Sequence, residues 1–154
     1  TMDLLLWRHA QAVDATADLD DLQRPLTKQG EAQAAHMAAW LKRHLPANTR
    51  ILCSPALRTR QTVQHLTQRN YHIDQELAPN AGINALLHAT QWPHSPTPVM
   101  VVGHQPTLGL LAQRLLGMQT PCPIKKGAMW WLRRRVRDGE AQVVLVTVQN
   151  PQML

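Results

Sequence analysis

The chain has 154 residues, of which 44% are hydrophobic and 17% charged, with a formal net charge of +6. These values suit one globular domain, large enough for a sheet with helices on both sides, and exclude a disordered chain. The positive balance favours anionic partners (phosphate esters, acidic proteins or nucleic acid) without choosing among them.

No apolar run is long enough to cross a bilayer, and Arg8 interrupts the N-terminal apolar segment. Neither a membrane span nor a signal peptide is expected, so the reading is cytoplasmic. Thr1 ahead of Met2 reads as foreign to the natural chain. Cys53 and Cys122 are too few for a disulfide framework and lack metal-ligand spacing; both read as reduced thiols. Of the eight histidines, His36, His44, His65, His72, His88 and His94 fall on presumptive helix surfaces or in loops. With no HExxH or CxxC, neither a metal nor an organic cofactor is expected.

In chain order, Leu4–Trp7 is a short continuous apolar run, the pattern of a strand buried on both faces, and it runs into Arg8-His9. An acidic stretch from Asp14 to Asp21 reads as a loop. Arg24-Pro25-Leu26-Thr27 then leads into a helix capped by Thr27, with Ala34, Met37, Leu41 and Leu45 at helical spacing up to Pro46. A second strand, Arg50–Cys53, meets Ser54 as the expected N-cap and Pro55 at the first helical position. Ala56, Thr59, Val63 and Leu66 form that helix's buried stripe.

Residues 70–98 carry the weakest pattern: a short strand within Tyr71–Leu77, a short helix around Ile83, Leu86 and Leu87, and a proline-rich loop from Trp92 to Pro98. A third apolar strand, Val99–Val102, runs into Gly103-His104. The next helix starts at Pro106 or Thr107, carries Leu108, Leu111, Leu115 and Leu116, and stops at Gly117. Ala128–Val136 and Ala141–Val148 flank Asp138-Gly139, a hairpin-turn signal. The expected fold is α/β: a single domain over 1–154, a three-layer α/β/α sandwich with a mostly parallel sheet and a late antiparallel hairpin. No GxGxxG follows the first strand and no Walker A sequence occurs, which disfavours a dinucleotide or P-loop fold.

In α/β sheets, ligands bind outside the carboxyl ends of the strands. Three strand ends deliver Arg8-His9, Ser54-Pro55-x-x-Arg58 and Gly103-His104 to that place. Arginine forks match phosphate oxygens, and a neutral imidazole can accept a phosphoryl group. A second histidine could stay protonated beside a dianion and donate to it. The convergence points to phosphoryl chemistry with a histidine nucleophile.

Leu6-Trp7-Arg8-His9-Ala10 resembles the Arg-His-Gly signature of the histidine phosphatase (phosphoglycerate mutase-like) superfamily. Arg24-Pro25-Leu26-Thr27-x-x-Gly30, Ser54-Pro55-x-x-Arg58-x-x-Gln61-Thr62 and Val102-Gly103-His104 follow in that family's order. The short length and the Arg-Pro-Leu-Thr segment are most similar to its SixA-type phosphohistidine phosphatases. The resemblance implies a phosphoglycerate mutase-like fold and His9 as a transiently phosphorylated nucleophile. It also implies a pocket of Arg8, Arg58 and His104 for phosphate or another oxyanion, bordered by Arg24. The implied reaction is metal-independent hydrolysis of phosphohistidine on a partner protein, such as a histidine phosphotransfer domain. A monomer is expected.

Two departures stand out. Ala10 replaces the usual glycine, and the general acid of larger members has no clear counterpart. Glu76 is the nearest by position, with a solvated charge as the plainer reading; Asp18, Asp20 and Asp21 are weaker alternatives. Imidazole leaving from phosphohistidine needs little protonation help, so an acid-poor site favours a phosphoramidate. The alternatives are a small-molecule phosphomonoesterase of the same fold and a non-catalytic phosphate-dependent binding module. The run Arg133-Arg134-Arg135-x-Arg137 reads as a solvated sheet edge or as a docking strand for an acidic partner. Aromatic content of 4% gives little support for nucleic-acid binding, and none is expected.

Overall fold

The computed structural model describes residues 2–154; Thr1 lies outside them. The described residues form a six-stranded sheet: β1 (Met2–Arg8), β2 (Arg50–Cys53), β3 (His72–Ile73), β4 (Val99–Gly103), β5 (Met129–Arg137) and β6 (Glu140–Gln149). Its order is β3-β2-β4-β1-β5-β6. β3, β2, β4 and β1 pair in parallel, whereas β5 and β6 join antiparallel beyond β1. This is the expected α/β sandwich with its late hairpin.

Four helices cover the sheet: α1 (Lys28–His44), α2 (Leu57–Val63), α3 (Ile83–Thr90) and α4 (Thr107–Leu116). Side chains alternate between two cores, which is why the central strands read as unbroken apolar runs. Leu5, Trp7, Ile51, Met100 and Val102 pack with Met37, Ala38 and Leu41 of α1 and Val63 of α2. Leu4, Leu6, Leu52, Val99 and Val101 pack with Leu86 of α3 and Leu108, Leu111 and Ala112 of α4. Each fully buried large apolar side chain contributes roughly 1.5–3 kcal/mol over its exposed state, so both faces of these strands are held to apolar residues.

Thr27 caps α1 as expected, its Oγ1 accepting the Gly30 N–H at 3.0 Å. The Asp138-Gly139 turn has φ of 54° and 80° at its two central residues, the left-handed pair of a type I′ hairpin. The short strand expected within Tyr71–Leu77 is His72–Ile73. One boundary differs from the sequence reading: α2 starts at Leu57, with Ala56 at its N-cap making no side-chain cap bond. Ser54 is not the helix cap, because its hydroxyl accepts the N–H two residues on, from Ala56, closing a separate turn (3.2 Å). The buried stripe of Ala56, Thr59, Val63 and Leu66 stands, with Leu66 just beyond the helix.

Candidate active site

The sheet order places β2, β4 and β1 side by side, so their carboxyl ends form one contiguous edge. His9, Ser54 and His104 are each the first residue past one of these strands. The ladder extends into them: His9 donates its N–H to Gly103 O and Ser54 to Val102 O, both at 3.1 Å. The His9 and His104 rings lie 5.3 Å apart, centroid to centroid. Arg8 and Arg58 join them in a cavity of about 430 Å³ that Arg24 also lines. His9, Arg58 and His104 are buried.

The residues around His9 are held by the same motif positions that lie away from the cavity. Ala10 donates its N–H to Thr62 Oγ1 at 3.1 Å, and Thr62 donates to Arg58 O at 2.7 Å, linking the His9 loop to the Arg58 helix. Gln61 Oε1 accepts the Leu26 N–H at 2.7 Å. Gly30 sits where a Cβ would come within 2.0 Å of Gln11 O, so only glycine lets α1 close against the loop after β1. Ala10, where the family has glycine, is fully buried and packs with Ala12, Leu26 and Ala34. Its φ is not positive, so alanine adopts the conformation without strain.

Hydrogen bonding assigns the tautomers. A carbonyl can only accept, so the 2.7 Å contact from His9 Nδ1 to Ala10 O puts the proton on Nδ1 and leaves the Nε2 lone pair free. Ser54 Oγ already accepts from Ala56 and lies 2.7 Å from His104 Nε2. With Ser54 fully buried, that nitrogen is the partner for its hydroxyl proton, so His104 carries its own proton on Nδ1.

The arginines are positioned by the chain itself. Arg8 Nη1 donates to Ile124 O at 3.0 Å; Arg58 Nη1 and Nη2 donate to Asp21 O and Oδ2 at 2.7 and 3.1 Å. The Nε atoms of Arg8 and Arg58 are buried with no partner, while both residues line the cavity, where guanidinium forks match phosphate oxygens.

The first half of the chain, residues 4–82, matches the family described as "Histidine phosphatase superfamily (branch 1)". The chain belongs to the histidine phosphatase superfamily. Within it the likeness is to the SixA-type branch. The phosphohistidine phosphatase SixA of Escherichia coli is 30% identical over 78% of each chain. An uncharacterized protein of Picosynechococcus is 35% identical over 77% of this chain and 76% of its own. A solved protein histidine phosphatase SixA, complexed with tungstate, superposes with a TM-score of 0.77 at 25% identity over 99% of both chains.

Membership makes the chain a phosphatase, and its electrostatics suit one. Burial, then the charges of Arg58, Arg8 and Arg24, push the His9 imidazole down to about 4 despite the bond to Ala10. Burial and the neighbouring His9 and Arg58 push His104 down to about 3. Both rings are therefore neutral at pH 7 in the absence of an anion. For His9 this is the nucleophilic form. His104 keeps an Nδ1–H donor without needing a charge, and a bound dianion would draw its pKa upward.

Glu76 does not line this cavity. Its carboxylate pairs with His88 Nδ1 at 2.8–2.9 Å, and the pair raises His88 above its ordinary range. Asp20 caps a short 3₁₀ turn through the Leu22 N–H. Asp21, weighed from sequence only as an acid, is a positioning anion instead. Burial raises its carboxyl, but Arg24 and Arg58 outweigh that and hold it low, so it is ionised at neutral pH. It grips Arg24 Nε at 3.0 Å as well as Arg58, while Arg24 Nη1 donates to Val13 O at 2.7 Å.

Lys126 also lines the cavity and was missed from sequence. One signal could have found it. β5 runs antiparallel beside β1, so the loop that opens β5 must arrive at the carboxyl edge of β1. Among the described residues, no group of three or more His, Cys, Asp or Glu is arranged to hold a metal, and no helix is long and apolar enough to cross a membrane.

Proposed function

We propose that this phosphatase hydrolyses phosphohistidine on a partner protein through a phosphohistidine intermediate at His9. The observation that carries the reading is the His9 ring: Nδ1–H bound to Ala10 O, Nε2 free, and the imidazole neutral. In the first step Nε2 attacks phosphorus in line, the new N–P bond forms, and the bond to the substrate imidazole breaks. Arg8, Arg58 and His104 hold the equatorial oxygens, where charge develops. Water then attacks the phosphorylated His9, releasing phosphate and restoring the free ring.

The choice of a phosphoramidate rests on the carboxylates. Asp21 is held ionised by two arginines, Asp14 lies exposed at the cavity mouth, and Glu76 is engaged with His88. A site without a committed proton donor suits an imidazole leaving group better than an alkoxide. A SixA relative was solved in complex with tungstate, an oxyanion, which supports oxyanion binding by this chain. The arginines supply the charge a metal would provide, which supports a metal-independent reaction.

Steady-state hydrolysis of a phosphohistidine-bearing protein and of p-nitrophenyl phosphate, with EDTA, by wild type and His9→Ala tests this. Preference for phosphohistidine, lost at least 10³-fold in His9→Ala, is the expected result. Equal or better use of the ester would move the protein to a small-molecule phosphatase. Binding of phosphoprotein with no turnover would make it a binding module.

A further inference from the structure

The cavity has two levels. His9, Arg58 and His104 are buried at its base, whereas Lys126 is an exposed residue that lines the same space. The arginines are already engaged: Arg58 and Arg24 by Asp21, Arg8 by the Ile124 carbonyl. Lys126 forms no ion pair among the described residues. The other exposed charges lining it are Asp14, on the loop after β1, and Asp21, which is paired with Arg24 and Arg58. The mouth is therefore polarised, with a free ammonium on the β5 side.

The turn that carries Lys126 is fixed relative to the nucleophile. Ile124 O accepts from Arg8, and Gly127 donates its N–H to His9 O, both at 3.0 Å. Trp7 Nε1 donates to Gly127 O at 3.1 Å, and Ala128 closes the turn onto Lys125 O. Gly127 has φ +77°, and a Cβ there would meet Pro151 at 2.9 Å, so no other residue sits in the turn without strain. A lysine on a mobile loop would be an ordinary solvated charge. This one is tied at both sides of its position to Arg8 and His9.

We propose that Lys126 is a specificity residue that binds a second negative charge on the substrate: a carboxylate flanking the phosphorylated histidine in an acidic protein segment. The proposal rests on the phosphohistidine reading above. Lys126 acts outside the phosphoryl site, so it strengthens substrate binding without touching the reacting atoms. Such uniform binding appears in KM and not in kcat.

The test uses two synthetic phosphohistidine peptides, identical except for Glu or Gln beside the phosphohistidine, together with p-nitrophenyl phosphate. Wild type, Lys126→Gln, Lys126→Glu and His9→Ala are compared at low salt. Lys126→Gln is expected to raise KM for the Glu peptide about fivefold, the upper range for an exposed ion pair, with kcat unchanged. The Gln peptide and the ester should stay within about twofold, since neither offers the second charge. Lys126→Glu should invert the preference between the peptides. An equal shift on all three substrates would place Lys126 on the phosphoryl group and overturn the proposal, as would an unchanged Glu-to-Gln ratio. If wild type hydrolyses the ester but neither peptide, and His9→Ala abolishes that, the phosphohistidine reading fails and this proposal falls with it.

Discussion

Arginines gather in two regions of this molecule, and only one of them lines the cavity that holds His9 and His104. Arg8 and Arg58 come from separate elements and converge at the carboxyl edge of the parallel strands, beside two buried neutral histidines. Arg133, Arg134, Arg135 and Arg137 lie close together on one strand of the β5–β6 hairpin. Successive strand residues face opposite sides of the sheet, so the run divides itself between two surfaces. Arg133 is taken by Asp3, and Arg135 does not line the His9 cavity although its Nε is also unpartnered. Density of charge along the sequence is a poor guide to function here. Convergence of distant charges on one strand edge is a good one.

That comparison can be broken most directly by truncation. Arg58→Ala should lower kcat/KM by about 10²–10³, because it removes donors aimed at charge that develops in the transition state. Arg134→Ala should leave turnover of p-nitrophenyl phosphate within about twofold. A large loss in Arg134→Ala, with Arg58→Ala near wild type, would reverse the assignment of the two regions.

A smaller effect is expected at Ser54, which the cavity does not expose. Ser54→Ala removes the hydroxyl that fixes the His104 tautomer and should cost about tenfold in kcat/KM. Nitrogen chemical shifts of His104 should lose the Nδ1–H signature along with it. A rate loss with that signature intact would mean that Ser54 acts only through packing.

The same histidines give a pH dependence. Their folded pKa values, about 4 and about 3, lie below the unfolded value near 6.5. As pH falls below 6.5 the unfolded chain takes up protons first, so stability drops towards pH 3–4, together on the order of a few kcal/mol. The stabilising contribution is fully present above 6.5. Activity behaves differently: His9 Nε2 stays unprotonated to about pH 4, so the acid limb of kcat/KM lies near 4 once substrate ionisation is removed. An acid limb near 6.5 would mean an open, solvated His9.

How much of this was legible in the sequence follows from burial. β1, β2 and β4 are buried on both faces, so their runs are unbroken and the residues that end them were assigned at once. His9, Arg8, Arg58 and His104 follow from those ends, and Arg24 from its motif. From sequence Asp21 is only a weaker candidate for the general acid, because it lies in an aperiodic acidic stretch and its partner Arg58 is 37 residues away. Nothing local says which carboxylate folds over which arginine. Glu76 was reached by position alone, and its pairing with His88 depends on where α3 packs. The Ser54 hydroxyl was read as a helix cap because capping is a local rule, whereas its bond to His104 spans 50 residues.

The smallest effect is expected at the hairpin arginine Arg133. Asp3 and Arg133 stand directly opposite across the antiparallel β1–β5 pair. Asp3 accepts Arg133 Nε at 2.7 Å, Arg133 Nη2 at 3.0 Å and Trp131 Nε1 at 3.0 Å. Burial raises the Asp3 carboxyl, but these three bonds and the Arg133 charge outweigh it and hold the group low. The carboxylate's contribution is therefore present above the ordinary aspartate pKa and is lost as pH falls through the lowered value. Asp3→Asn leaves a near-isosteric group that cannot accept both Arg133 bonds. With Asp3 buried and the Arg133 side chain 39% exposed, the expected cost is about 1–2 kcal/mol, seen as a lowered Tm near neutral pH. kcat/KM on p-nitrophenyl phosphate should stay within about twofold, because neither Asp3 nor Arg133 lines the cavity. A slip of β5 by one residue would turn Trp131 and Met129 out of the core they share with Leu5 and Trp7. Unchanged stability with a marked loss of turnover on a phosphoprotein, but not on the ester, would instead make the arginine strand a docking surface.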